Sequence, residues 1–281
     1  MSGDGSKQMV AVFNGYVYYS SNYGQTWTEK FNSNAYYWAS LCSSNDFSKV
    51  FGGGSSTNIF RTTNYGDTFA SSGTNYNNWA SCAMSSSTSL IVYGGISYAP
   101  VKSTDGGVTW STFGGGAYGA VGIVVSSDGT KIAMLAKENT NNKMVPQIST
   151  DSGASFTVGT LVKNWKKIAA SSDLSKLVAI TGDEYLYIST NGGTTWTAKL
   201  TDAARTWTGV CCSSDFTTIV AVADNDYIYV SRNSGTSFSA KGIGGWFMFP
   251  QGYTDSWTAV ACSSNGQRFT ATTRTDIYTS P

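Results

Sequence analysis

The sequence predicts an all-β fold, a propeller of four-stranded antiparallel blades, from three observations. A corner phrase of Ser/Thr, any, Asp/Asn, any, Gly, any, Thr/Ser and Trp/Phe occurs six times, at Ser20 to Trp27, Thr62 to Phe69, Ser103 to Trp110, Ser149 to Phe156, Ser189 to Trp196 and Ser231 to Phe238. A second phrase recurs from positions 38, 79, 120, 165, 207 and 257, at intervals of 41 to 50 residues. The runs between are short, β-branched and aromatic, such as Val17-Tyr18-Tyr19, Leu186-Tyr187-Ile188 and Ile228-Tyr229-Val230, and none carries the 3.6-residue period of a long amphipathic helix.

The second phrase supplies the first two strands of each repeat. It is clearest from Trp165 to Ile180, where a strand, a Ser-Ser-Asp turn and another strand follow one another. Matching phrases begin at Trp38, Trp79, Trp207 and Trp257, and a degenerate one at Ala120 leads into Ser126-Ser127-Asp128-Gly129. The corner supplies a tight turn. Its Asx residue can bond the backbone two residues on, its Gly can take positive φ, and the final Trp or Phe buries a ring beneath. Asn22, Asn64, Asp105, Asp151, Asn191 and Asn233 are therefore structural residues.

Residues 1–281 form one propeller domain with repeats at about 1–37, 38–78, 79–117, 118–164, 165–206, 207–256 and 257–281. The first repeat begins at its turn, Ser2-Gly3-Asp4-Gly5, and the last stops at Thr279-Ser280-Pro281, where a corner should start. Seven blades is the preferred count, with six the alternative if the two partial repeats merge.

Composition narrows the function. With 18 Lys+Arg against 17 Asp+Glu, a net charge of +1 and no basic stripe, nucleic acid is not an expected partner. No apolar run is long enough for a transmembrane segment. The first residues lack the order of a secretory signal, so the protein is expected to be intracellular or to have lost its leader. Cys42, Cys82, Cys211, Cys212 and Cys262 replace small core residues of the repeat, and the expectation is packing as free thiols. The chain has no histidine, which removes imidazole catalysis and weakens any metal site. Neither a metal nor a cofactor is expected.

The corner resembles the Asp-box, or bacterial neuraminidase repeat, of sialidase-like β-propellers, where it joins the third and fourth strands of a blade. This resemblance extends over the chain through all six copies and implies the fold. Proteins sharing the repeat include sialidases, xyloglucan-degrading glycosidases, sortilin-type receptors, a photosystem II assembly factor and lectin-like proteins, so it implies no single activity.

Strand alternation places the Ser-Ser-Asp turns and the corners on one face, and the second-to-third hairpins and interblade connectors on the other. The first set is repetitive and the second varied, so binding is expected on the varied face. Candidates there are Tyr36, Tyr37, Tyr76 and Arg205 in connectors, Asp183, Glu184, Asp224 and Asp226 in hairpins, and Trp246, Phe247, Phe249 and Tyr253 in the longest insert. An apolar run flanked by glycines is either a plug or a contact loop. The five repeated tryptophans are either wedges between blades or open aromatic platforms.

A sialidase-like enzyme would need an arginine triad and an early Phe/Tyr-Arg-Ile-Pro phrase. Arg61 stands instead in Phe60-Arg61-Thr62-Thr63, Arg232 lies in a corner and Arg268 follows a first turn, which leaves Arg205 and Arg274. Another glycosidase would need only a suitably spaced carboxylate pair, and the hairpin acids could supply one. The expected function is non-catalytic recognition of a glycan or glycoprotein. The alternatives are a protein-interaction scaffold and a glycoside hydrolase.

Overall fold

Short β-branched and aromatic runs between Gly, Ser, Asn and Asp turns satisfy their backbone groups as antiparallel ladders joined by tight hairpins. The structure, a computed structural model, describes residues 1–30, 36–55, 58–72, 78–87, 89–114, 117–138, 143–241 and 255–280. The fold is a seven-bladed β-propeller. Its blades fall into two compact units, Met1–Val162 and Lys163–Pro281.

The first unit holds four blades. Blade 1 has β1 (Gln8–Ala11), β2 (Phe13–Gly15), β3 (Val17–Ser20) and β4 (Thr28–Lys30); its sheet runs β1-β3-β4, while β2 pairs with the next blade. Blade 2 has β5 (Tyr36–Ser43), β6 (Val50–Ser55), β7 (Phe60–Thr62) and β8 (Ala70–Ser71). Blade 3 has β9 (Trp79–Met84), β10 (Ile91–Gly95), β11 (Val101–Ser103) and β12 (Ser111–Thr112). Blade 4 has β13 (Tyr118–Val125), β14 (Ile132–Lys137), β15 (Met144–Ser149) and β16 (Thr157–Val158).

The second unit holds three. Blade 5 has β17 (Trp165–Ala170), β18 (Leu177–Thr181), β19 (Leu186–Ser189) and β20 (Thr197–Lys199). Blade 6 has β21 (Trp207–Cys212), β22 (Ile219–Asp226), β23 (Ile228–Ser231) and β24 (Ser239–Lys241). A short β25 (Asp255–Ser256) pairs with β22, and blade 7 has β26 (Ala259–Cys262), β27 (Phe269–Thr272) and β28 (Ile277–Thr279). Blades 1 and 7 are separate three-stranded sheets, so the partial repeats do not merge and the count is seven.

The repeated tryptophans are wedges. Trp38, Trp79, Trp165, Trp207 and Trp257 are at most 4% exposed. Each of Trp38, Trp165, Trp207 and Trp257 stands on or just before a first strand and meets the aromatic ring of a third strand, at 5.8 Å for Phe60, 5.2 Å for Tyr187, 5.3 Å for Tyr229 and 5.3 Å for Tyr278. Reaching across the intervening second strand requires a small residue there. Gly52, Ala179, Ala221 and Ala271 pair with those aromatics, and a Cβ on Gly52 would lie 2.8 Å from the Trp38 ring. Blade 3 reverses the arrangement: Tyr93 on the second strand meets Trp79 at 5.4 Å and pairs with Val101. Within a unit an interblade layer forms around such a ring, as where Val178, Ile180 and Leu186 of blade 5 pack with Trp207 and Phe216 of blade 6. Burying one indole contributes about 4–6 kcal/mol of transfer free energy, an upper bound before entropy is counted.

The expectation of five free thiols is corrected by a Cys211–Cys262 disulfide with Cα atoms 5.7 Å apart. The physical reason is lateral. First strands of neighbouring blades pack face to face, so a residue two before the turn Ser213 looks toward blade 7, where one directly before the turn Ser263 looks back. Cys42, Cys82 and Cys212 are free. Such bridges persist in oxidising compartments and are rare in a reducing cytosol. Among the described residues no helix is long and apolar enough to cross a membrane.

Candidate binding edge

Each blade has two unlike edges. At the first, the Ser-Ser-Asp turn and the Asp-box corner lie together and hydrogen-bond: Tyr23 N donates to Ser6 O, Ser152 N to Thr130 O, Gly192 N to Ser175 O and Ser234 N to Thr217 O. In the Asp105 corner, Ser103 Oγ donates to the carboxylate at 2.7 Å and accepts from Gly107 N at 2.8 Å, while Thr109 N donates to Asp105 at 2.9 Å. Where Asn replaces Asp the pattern persists, and the Asn22 amide donates to Thr26 Oγ1 at 2.8 Å. Hydroxyl and amide donors hold Asp105 and Asp151 far below the ordinary carboxylate range, and Asp46, Asp128 and Asp173 at about 2. The first turns also tie blade to blade, through Gly3 N to Asn45 O and Ser86 N to Ser127 O in the first unit and Ser172 N to Ser214 O in the second. Arg61 and Arg232 serve this edge too, donating to Gly106 O and Gly266 O of the next blade. A shallow cavity of about 230 Å³ between the corners of blades 5 and 6, lined by Thr190, Thr195, Thr236 and Lys199, belongs to the same scaffold.

The opposite edge carries the hairpins and connectors. Among the described residues of the second unit it carries two ion-paired clusters. The Arg205 side chain, 9% exposed, donates to Asp226 at 3.1 Å, Asp202 at 2.6 Å, Tyr229 Oη at 2.9 Å and the carbonyls of Leu200 and Ala203. Its guanidinium also stacks 4.8 Å from the Tyr229 ring, and Asp202 foremost raises its already high pKa. One blade earlier the same positions hold Lys163, Glu184 and Tyr187: Lys163 pairs with Glu184 at 2.7 Å and Tyr187 donates to Glu184 at 3.0 Å. The Lys163 ammonium, then the Tyr187 hydroxyl, hold Glu184 below its usual range. Asp183 accepts from Asn164 at 3.3 Å. Asp224 and Asp226 face Ser256 and Asp255 across the β22–β25 bridge.

Among the described residues of the first unit the same edge exposes aromatic and aliphatic side chains. Residues 12–16 form the hairpin between β1 and β3, closed by Val12 N to Tyr16 O, with Asn14 at a φ of 55°. This turn lifts Phe13 outward, 69% exposed, and β2 pairs it with Tyr37 of β5. The two rings lie 5.2 Å apart, tilted by 50°, with Tyr37 45% exposed. Val12 beside them is also exposed, as are Ile96 and Tyr98 in the β10–β11 hairpin.

The structure thus divides the expected residues. Tyr37 lies in an exposed aromatic pair, whereas Arg205 and Asp226 stand in one ion-paired cluster and Glu184 in another. Tyr36 lies on β5 opposite Gly15. Tyr76, Trp246, Phe247, Phe249 and Tyr253 lie outside the described residues. Phe13 is the residue that sequence reasoning missed, although the Asn14-Gly15 dipeptide after it is a strong hairpin signal. Among the described residues no group of three potential metal-ligating His, Cys, Asp or Glu side chains assembles.

The corner geometry and the seven sheets agree with the comparisons. A family model described as BNR/Asp-box repeat matches residues 187–198, the corner of blade 5 with its flanking strands. The chain is a β-propeller that carries the BNR/Asp-box repeat. No curated protein sequence matches it significantly. Among solved structures it is similar to the GH74 xyloglucanase of Xanthomonas campestris, with a TM-score of 0.74 and 13% identity over 98% of this chain and 50% of that one. This BNR-repeat propeller therefore spans half the length of that enzyme. It is also similar to hydrazine synthase of Kuenenia stuttgartiensis, with a TM-score of 0.76 and 9% identity over 99% of this chain and 93% of that one. A third similar structure, YCF48 bound to D1 peptide, has a TM-score of 0.69 and 9% identity, covering 99% and 90%. At these identities the likeness is one of fold.

Proposed function

We propose that this chain is a non-catalytic binding propeller whose hairpin edge recognises glycans or glycoproteins. The observation that supports this reading is the Phe13–Tyr37 pair. A phenylalanine ring 69% exposed at a hairpin tip, beside a tyrosine 45% exposed, presents apolar surface that folding alone does not use. A pyranose ring offers an apolar C–H face that stacks on such rings, while the tyrosine hydroxyl reaches sugar hydroxyls. Hydrolysis is disfavoured because a general acid needs a raised pKa, and Glu184 is shifted the opposite way by Lys163. Asp226 is committed to Arg205, Tyr229 and the Tyr227 amide.

A protein partner is the second reading, favoured by the likeness to a propeller whose structure holds a peptide. The same aromatic pair would then receive an apolar side chain. Screening a glycan array with the wild type and with Phe13→Ala/Tyr37→Ala separates the two. The proposal expects glycan signals that the double substitution removes while the melting temperature is kept. No glycan signal, with a peptide or protein captured through the same two rings, would make the glycan reading wrong.

A further inference from the structure

The disulfide of the second unit has an unjoined counterpart in the first. Cys42 precedes the turn residue Ser44 by two positions, as Cys211 precedes Ser213. Each therefore points from its own first strand toward the following blade. The receiving residues, Cys82 and Cys262, precede Ser85 by three and Ser263 by one. Both odd offsets put the side chain on the strand face that looks back at the preceding blade. The surroundings match as well. Cys211 and Cys262 pack on the interblade layer of Val220, Val222, Trp257 and Phe269, and Cys42 and Cys82 on that of Phe51, Ile59, Trp79 and Tyr93. Cys42 and Cys82 share this layer with the buried Tyr93, which pairs with Cys82 across β9 and β10 and whose hydroxyl has no well-aligned hydrogen bond.

We infer that Cys42 and Cys82 are a second interblade cross-linking site, which closes to a disulfide by exchange with a small-molecule disulfide such as oxidised glutathione. In the first step the thiolate of one cysteine attacks a glutathione sulfur, forms a mixed disulfide and expels one glutathione thiolate. The second cysteine, once deprotonated, attacks the protein sulfur of that mixed disulfide and expels the other. Two protein thiols thus supply two electrons and two protons, and one oxidised glutathione leaves as two reduced molecules. Burial pushes the Cys42 thiol well above its ordinary pKa, so the closure accelerates as pH rises. Cys212, the third free cysteine, faces blade 5, where it packs near Ala169, and has no cysteine across the layer.

The test uses the wild-type chain, equilibrated with glutathione in oxidised excess, quenched with acid, freed of glutathione and denatured before its thiols are counted. Titratable thiols should fall from three to one. A non-reducing tryptic map should show peptide 31–49 joined to peptide 62–102, beside the 206–232 to 242–268 link of the existing bridge. Cys82→Ser, treated in the same way, should leave Cys42 as a thiol or a glutathione adduct, and the melting temperature should no longer rise on oxidation. Three thiols persisting in the wild type, separate glutathione adducts on Cys42 and Cys82, or a link from either to Cys212 would overturn the inference.

Discussion

The two edges of a blade use the same chain length for opposite ends. The turn edge repeats one solution: a hydroxyl and an Asx side chain satisfy a reversing backbone, and the turns of adjacent blades hydrogen-bond within each unit. The hairpin edge repeats a topology but not a chemistry. Blades 5 and 6 fill it with cation–carboxylate–phenol clusters, whereas blades 1 and 2 leave two aromatic rings in water. Repetition within one chain marks what the scaffold needs. Departure from it marks what the scaffold does not explain, and Phe13 with Tyr37 is such a departure.

Substitutions can break that contrast at graded cost. The largest loss is expected for Trp207→Ala, which empties an interblade wedge 2% exposed and should cost about 3–5 kcal/mol in urea unfolding. Arg205→Ala should cost about 2–3 kcal/mol by the same measurement, because Asp226 keeps its Tyr229 and Tyr227 donors while Asp202 is free to turn to water. Ser189→Ala removes the hydroxyl that accepts from Gly193 N and donates to Asn191, and about 1 kcal/mol should follow. Acid should act on the turn edge. Asp46, Asp128 and Asp173 titrate at about 2 when folded, so their contribution is complete above the unfolded pKa and disappears as pH falls from roughly 4 toward 2. Asp→Asn at these turns, the residue that blade 7 already uses at Asn265, should flatten the acid limb of a urea-midpoint against pH curve. The smallest effect on stability, within about 0.5 kcal/mol, is expected for Phe13→Ala, since its ring is mostly in solvent.

The scaffold was legible in the sequence because it repeats. Six corners fixed the period, the Trp-led phrases placed the first strands, and the incomplete ends placed the three-stranded blades. Small residues opposite the aromatics were present in the sequence too, yet Ala221 or Gly52 gains meaning only when a tryptophan is seen reaching over it. The cysteines misled because each was compared with its own repeat, whereas the bridge depends on what faces it across the interblade layer. The ion pairs of Arg205, Glu184 and Asp226 were not legible for a related reason. Charge at a hairpin is visible in sequence, but the partner that neutralises it comes from the connector that leads into the blade, about 21 residues away. Phe13 is the opposite case, an apolar residue without charge or motif to single it out, which a tight turn lifts into water.

The most direct test compares equally simple changes on the two edges. Tyr23 and Tyr65, in corners, are 37% and 38% exposed, close to the 45% of Tyr37. Dissociation constants for the strongest glycan found on the array should be measured by calorimetry for the wild type, Phe13→Ala/Tyr37→Ala and Tyr23→Ala/Tyr65→Ala. The account predicts that the first pair weakens binding at least about tenfold, the equivalent of 1.4 kcal/mol, and that the second leaves it unchanged. Weakening by the corner pair, with the hairpin pair silent, would contradict it.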